Sequence, residues 1–102
     1  MKMFYITLNT NEEARLVSVR LLEEKLAVCT NWFPINCAYR LEGQIKMDNE
    51  VVLIVKTNDD MREQIENVIS SIITYKNFIA ELDVHSVNAH FIDWMKVELA
   101  YV

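Results

Sequence analysis

Two cysteines and two histidines are the side chains of this sequence best suited to binding a soft metal ion. Cys29 and Cys37 are eight residues apart within one predicted β segment. An extended chain rises about 3.3 Å per residue, whereas a disulfide holds its Cα atoms roughly 4.4–6.8 Å apart. Unless the segment folds back sharply at Pro34, this spacing predicts two free thiols in a reducing cytoplasm.

Cys29 is the candidate metal ligand of the chain, because a thiolate suits Cu(I), or Zn²⁺ beside other ligands. The alternative is a packed apolar cysteine, which is common in protein cores, and no second soft ligand lies nearby in sequence. Cys37 has no CxxC partner. His85 and His90 are five residues apart, so they do not form the i, i+4 pair of a helical metal site, and we interpret them as surface residues.

Three carboxylates, Glu42, Asp48 and Glu50, follow one another along the same segment. A hard cation would need more oxygen ligands than this segment offers, so ion pairing or a solvated face is favoured. The sequence contains no nucleophile elbow, P-loop, dinucleotide fingerprint or zinc-protease motif, and its single glycine excludes a glycine-rich phosphate cradle.

Length and charge restrict the class of protein. The 102 residues correspond to one domain, spanning residues 1–102. The chain has a net charge of −5. It therefore lacks the basic surface with which proteins bind nucleic acids or anionic membranes. No apolar run approaches the ~18 residues of a membrane span, and the N-terminus does not read as a signal peptide. We therefore expect a soluble cytoplasmic protein without nucleic-acid or membrane partners.

Hydrophobic periodicity predicts the element order β-α-β-β-α-β-α. Thr10 and Glu13 form a capping box before the first helix, and Asn88 is positioned to cap the last. Asp59 and Asp60 are expected in the first turn of the middle helix. The first six elements match the ferredoxin-like βαββαβ sandwich, an α+β fold, with an extra C-terminal helix. The predicted strands are 3–8, 27–33 resuming at 37–42, 44–57 and 78–84. Pro34 is expected either to bend or bulge the second strand or to lie on an exposed edge. The predicted helices are 11–25, 58–72 and one following Asn88.

The second and third strands together make an unusually long hairpin, with Gly43 at its turn. Because many of its side chains are apolar, we expect it to be buried between subunits. The expected interface residues are Trp32, Phe33, Pro34, Tyr39, Leu41, Gly43 and Ile45.

Several motifs, taken in order, resemble the CutA family of divalent-cation tolerance proteins. The stretch "NEEARLVSVRLLEEKLAVCTN" is similar to the acidic helix start and the helix-to-strand junction of that family, including its Cys and Asn. "YRLEGQI" resembles the family's hairpin tip, "DNEVVLIVKT" its third strand, and "NAHFIDWM" its C-terminal helix. The resemblance covers nearly the whole chain.

The resemblance implies a non-enzymatic homotrimer built from the long hairpins and linked to tolerance of copper and other divalent cations. Three copies of Cys29 could then converge on a copper or other divalent ion, although no cofactor would be required. Two alternatives stay open: a sensor like the trimeric PII proteins, with a small ligand between subunits, and a purely structural or partner-binding trimer.

A cleft between subunits is implied by the same resemblance, with aromatic walls and one lysine. Its expected residues are Trp32, Tyr39, Lys56, Tyr75 and Trp94. The chain departs from the family pattern next to this cleft. The family's His-Pro-Tyr-Glu loop is replaced by "ITYKN", in which Tyr75 takes the place of the Tyr.

Overall fold

The computed structural model describes residues 1–101, which form four strands and three helices. They are β1 (Lys2–Leu8), α1 (Asn11–Glu23), β2 (Cys29–Leu41), β3 (Gln44–Thr57), α2 (Arg62–Ile72), β4 (Ile79–Asp83) and α3 (Ala89–Ala100). The strands make one antiparallel sheet in the order β2-β3-β1-β4. The predicted ferredoxin-like α+β fold with an additional C-terminal helix is confirmed.

Alternation along the strands divides the sheet into two faces. Phe4, Ile6 and Leu8 are almost fully buried and belong to the same core as residues of α1 and α2. We call this side the helix face. Met3, Tyr5 and Thr7, with the residues opposite them on β3, form the open face, which α1 and α2 do not cover. The core contributed by the two helices consists of Ala14, Val17, Leu21, Ile65, Val68 and Ile69.

The predicted capping box begins α1 as expected, with reciprocal bonds between Thr10 and Glu13. The helix ends at Glu23, two residues earlier than predicted, because Lys25 adopts a left-handed conformation with φ of 57°. The N–H groups of Lys25 and Leu26 return to the carbonyls of Leu22 and Leu21, respectively. This is the Schellman arrangement, here with a lysine where glycine is usual.

One prediction about the other helices was wrong, and a second was confirmed only in the position of the capping residue. Asp59 and Asp60 precede α2 instead of occupying its first turn, since Asp60 has φ of 65° and cannot continue a right-handed helix. Asn88 does occupy the N-cap position of α3, but its side chain makes no capping hydrogen bond.

Pairing within the long hairpin is continuous from Cys29, opposite Lys56, to Leu41, opposite Gln44. Pro34 therefore produces no bulge. It lies on β2, opposite Val51 of β3. Because β2 is an edge strand, the lack of a backbone N–H at Pro34 is tolerated. The predicted turn at Gly43 is confirmed. Glu42 and Gly43 form a two-residue connection with φ of 50° and 78°, as a type I′ turn requires.

Candidate functional site

Cys29 begins β2 on the open face, directly opposite Lys56, and is half-buried. Its sulfur lies 4.0 Å from the carbonyl oxygen of Thr30. Within residues 1–101, no group of three His, Cys, Asp or Glu side chains is arranged to hold a metal ion. A metal at Cys29 would thus need ligands from further subunits, and this role stays a prediction.

The two histidines are both solvent-exposed, His85 after β4 and His90 in the first turn of α3. This placement agrees with their interpretation as surface residues.

Lys56 and Trp94 are connected through an aromatic residue of α3. The ammonium nitrogen of Lys56 lies 5.7 Å from the ring centroid of Phe91, a cation–π distance. The Phe91 ring is in turn 5.5 Å from that of Trp94. The structure therefore brings these two predicted cleft residues into one cluster at the α3 end of the sheet.

Tyr39 and Tyr75 lie elsewhere, and both line one recess. This cavity of about 460 Å³ opens on the open face where the hairpin leaves the body of the domain. We call it the hairpin-base cavity. Its lining residues are Thr7, Asn9, Cys37, Tyr39, Glu50, Tyr75, Lys76, Asn77 and Phe78.

Tyr75 is anchored by its hydroxyl group. The hydroxyl donates a 2.6 Å hydrogen bond to the carboxylate of Glu13 and accepts one of 2.9 Å from the backbone N–H of Asn9. Burial raises the pKa of Tyr75, and the hydrogen bond to Glu13 raises this pKa further. The phenol is therefore a fixed structural group that stays protonated at neutral pH.

Trp32 is separate from both places. Strand alternation puts it on the helix face, opposite Leu53, with 40% of its surface exposed. Within one subunit, the five predicted cleft residues thus occupy three locations. Whether a neighbouring subunit joins them in one cleft stays a prediction.

The predicted interface residues of the hairpin are exposed in the single chain. Leu41 is 49% exposed and Ile45 73%. Met47, which was not among the predicted interface residues, is 83% exposed.

Cys37 and Glu50 were not predicted as partners in a site, yet both line the hairpin-base cavity. Burial raises the pKa of the Cys37 thiol, and the negative charges of Glu50 and Asp48 raise it further. A signal was present in the sequence, because a two-residue turn at Glu42 and Gly43 fixes the strand register. Counting outward from that turn places Cys37 opposite Asp48, as observed.

Comparison with known proteins identifies the family. Residues 2–98 match the family model described as "CutA1 divalent ion tolerance protein". The chain belongs to the CutA1 family. A divalent-cation tolerance protein CutA from Archaeoglobus fulgidus is 34% identical over 92 residues, covering 89% of this chain and 90% of the relative. A CutA protein from Thermus thermophilus is 30% identical over 93 residues, with 89% and 90% covered.

Solved CutA structures share the same architecture. The A. fulgidus protein, described as a periplasmic divalent cation tolerance protein, superposes with a TM-score of 0.90 at 32% identity, covering 97% of this chain and 99% of that one. CutA1 from Pyrococcus horikoshii gives a TM-score of 0.87 at 32% identity, covering 96% and 97%. In the part of the chain that the structure describes, no helix has the length and apolarity to cross a membrane.

Proposed function

We propose that this CutA1-family chain is a non-enzymatic cytoplasmic homotrimer that acts in tolerance of divalent cations, copper among them. Family membership supports the link to divalent cations. The observation that carries the proposal of assembly is the apolar hairpin, whose exposed side chains a monomer would leave in water.

The exposed side chains on this hairpin are numerous and large. They are Trp32, Phe33, Tyr39, Leu41, Ile45 and Met47. Strand alternation places Phe33, Tyr39 and Leu41 on one face of the hairpin and Trp32, Ile45 and Met47 on the other. Large apolar side chains exposed in this number mark interaction surfaces. β2 is also an edge strand of thirteen residues, with backbone groups open to pairing with another strand.

Self-association would cover the exposed apolar side chains and pair the open edge of β2 at the same time. Copies related by a closed cyclic symmetry can each cover the neighbour's apolar side chains and pair with its edge strand. A threefold ring is the closed form that the family resemblance implies.

The proposal includes binding of copper by the protein itself. Cys29 supplies the soft ligand, and the further ligands would come from other subunits, since one subunit's described residues contain no three-ligand cluster. The cytoplasmic location rests on the two free thiols, which persist in a reducing compartment.

Light scattering at micromolar concentration tests the assembly. We expect a mass of about three times 12.0 kDa. Leu41→Lys and Ile45→Lys should lower this mass, whereas Val97→Lys, which changes an exposed apolar residue on α3, should not. A monomeric wild-type protein would defeat the proposal.

A second candidate function is a PII-like sensor that binds a small ligand. The hairpin-base cavity favours it, because it combines aromatic walls with ionisable side chains. A third candidate, a purely structural or partner-binding trimer, rests on the hairpin alone. A thermal-shift screen separates the two, since flat melting curves across small ligands would favour the structural role.

A further inference from the structure

The hairpin-base cavity has the dimensions of a small-molecule site. Its volume of about 460 Å³ lies within the roughly 300–1,000 Å³ typical of such pockets. Its walls come from three separate parts of the fold: the hairpin, the end of β1 and the segment that leads into β4. The fold therefore builds the cavity from elements distant in sequence.

Two of the lining side chains carry opposite charges on different walls. Glu50 belongs to β3, and Lys76 belongs to the segment before β4. The ion pairs formed among residues 1–101 include neither of them. The cavity thus presents an anionic group and a cationic group that do not neutralise each other.

Aromatic rings supply the apolar part of the wall. Tyr39, Tyr75 and Phe78 all line the cavity. Aromatic faces attract ammonium groups and pack against apolar side chains.

Two of the three rings, Tyr75 and Phe78, are held in place by contacts within the chain. Tyr75 is fixed by Glu13, and the Phe78 ring packs edge-on against Tyr5 with centroids 6.2 Å apart. The backbone of Phe78 is bonded to Thr7, whose N–H donates to the Phe78 carbonyl at 3.0 Å. Such preorganisation reduces the entropy cost of binding.

The composition of the cavity wall favours an organic ammonium group over a metal ion. Burial and the nearby carboxylates of Glu50 and Asp48 raise the pKa of the Cys37 thiol. The described residues also lack a three-ligand metal cluster here. The same negative charges attract a cationic nitrogen.

We propose that the hairpin-base cavity binds a small zwitterion of the free amino acid class. Glu50 receives the ammonium group, Lys76 receives the carboxylate, and the rings of Tyr39 and Phe78 contact the side chain. This assignment does not depend on divalent-cation tolerance; it rests on the second candidate function, a sensor of a small ligand, and names the class of that ligand.

Calorimetric titration of the full-length assembled protein tests the proposal with three probes. L-phenylalanine carries both charges, 2-phenylethylamine lacks the carboxylate, and 3-phenylpropionate lacks the ammonium group. We expect L-phenylalanine to bind and each single-charge analogue to bind at least about tenfold more weakly, because each leaves one charged group of the cavity unpaired. Absence of binding at millimolar concentration, or equal binding of all three probes, would overturn the assignment.

Two substitutions test which side chain of the cavity binds which charged group of the ligand. Lys76→Met should weaken L-phenylalanine binding by about tenfold and leave 2-phenylethylamine binding unchanged, whereas Glu50→Gln should weaken both by about tenfold. The matched controls Lys96→Met and Glu63→Gln change exposed residues outside the cavity and should bind like the wild type. Loss of binding in these controls would contradict the assignment.

Light scattering on each variant distinguishes a lost ligand site from a lost trimer. A variant that keeps its mass but loses the ligand supports the site. If a variant fails to fold, the three-probe comparison on the wild-type protein still decides the proposal.

Discussion

The hydroxyl group of Tyr75 donates a 2.6 Å hydrogen bond to Oε1 of Glu13, a residue 62 positions earlier in the chain. The same carboxylate oxygen accepts the backbone N–H groups of Asn9 and Thr10. One acceptor therefore fixes both the start of α1 and the segment that leads into β4. Through this contact, the N-terminal cap of a helix determines the position of one wall of the hairpin-base cavity.

Tyr75→Phe removes only the hydroxyl of this contact. Because Glu13 keeps two backbone donors, we expect a loss of about 1 kcal/mol in the free energy of unfolding. Chemical denaturation at one fixed protein concentration measures it, since association makes stability concentration-dependent. Tyr101→Phe is the matched control, and its 71% exposed side chain should give a change within about 0.5 kcal/mol. Equal changes in both variants would refute the structural role of the contact.

Alkaline pH should lower the free energy of unfolding through the ionisation of Tyr75. Burial, with the Glu13 hydrogen bond, raises the pKa of Tyr75 above its ordinary value of 10.0. The unfolded chain then releases this proton at a lower pH than the folded chain, so the free energy of unfolding falls as pH rises above about 10. Denaturation curves at several pH values from about 9 to 11 should show a steeper decline in wild type than in Tyr75→Phe. Parallel declines would contradict this assignment.

A side-chain hydrogen bond from Thr57 connects the end of β3 to the segment after α1. It is fully buried, and its hydroxyl donates a 2.6 Å hydrogen bond to the carbonyl of Leu26. Thr57→Val keeps the shape but leaves that carbonyl without its donor, which should lower the unfolding free energy by about 1–3 kcal/mol. Thr74→Val, at an exposed position, is the control and should change stability by no more than about 0.5 kcal/mol.

Copper binding should distinguish the two thiols. We expect calorimetric titration with Cu²⁺ to show weaker binding in Cys29→Ala than in wild type, by about tenfold or more. Cys37→Ala should bind like wild type, because Cys37 lies eight residues from Cys29 along the extended strand β2, too far to share a metal ion with it. Equal binding by wild type and Cys29→Ala would remove Cys29 from the proposed metal site.

Local sequence signals were sufficient for most of the fold. The Thr10–Glu13 capping box marked the first residue of α1, and the two-residue turn at Gly43 marked the hairpin tip. Both are short-range motifs whose hydrogen bonds or backbone angles involve neighbouring residues.

Predictions failed where backbone conformation overrode residue preference. Two aspartates favour a helix start, but the left-handed conformation of Asp60 delays α2 to Arg62. Lys25 ends α1 early for the same reason. Aspartate is one of the residue types enriched at positive φ, so Asp60 offered a weak signal, whereas Lys25 offered none.

The candidate site was predictable only in part. Tyr39 and Tyr75 were expected in one pocket from the family resemblance, and both line the hairpin-base cavity. The bond from Tyr75 to Glu13 joins side chains distant in sequence, which no local pattern indicates. Strand register puts Cys37 opposite Asp48 and Glu50 on the same face two residues further along, but register does not bring β1 and the segment before β4 against them.

Pro34 also limits how this protein can polymerise. An edge strand as long as β2 offers a template on which further strands could add without end, as in a fibril. Proline has no backbone N–H, so a strand that approaches the middle of β2 finds one donor fewer there. We expect this interruption to favour assemblies that close on themselves after a few copies over open-ended filaments.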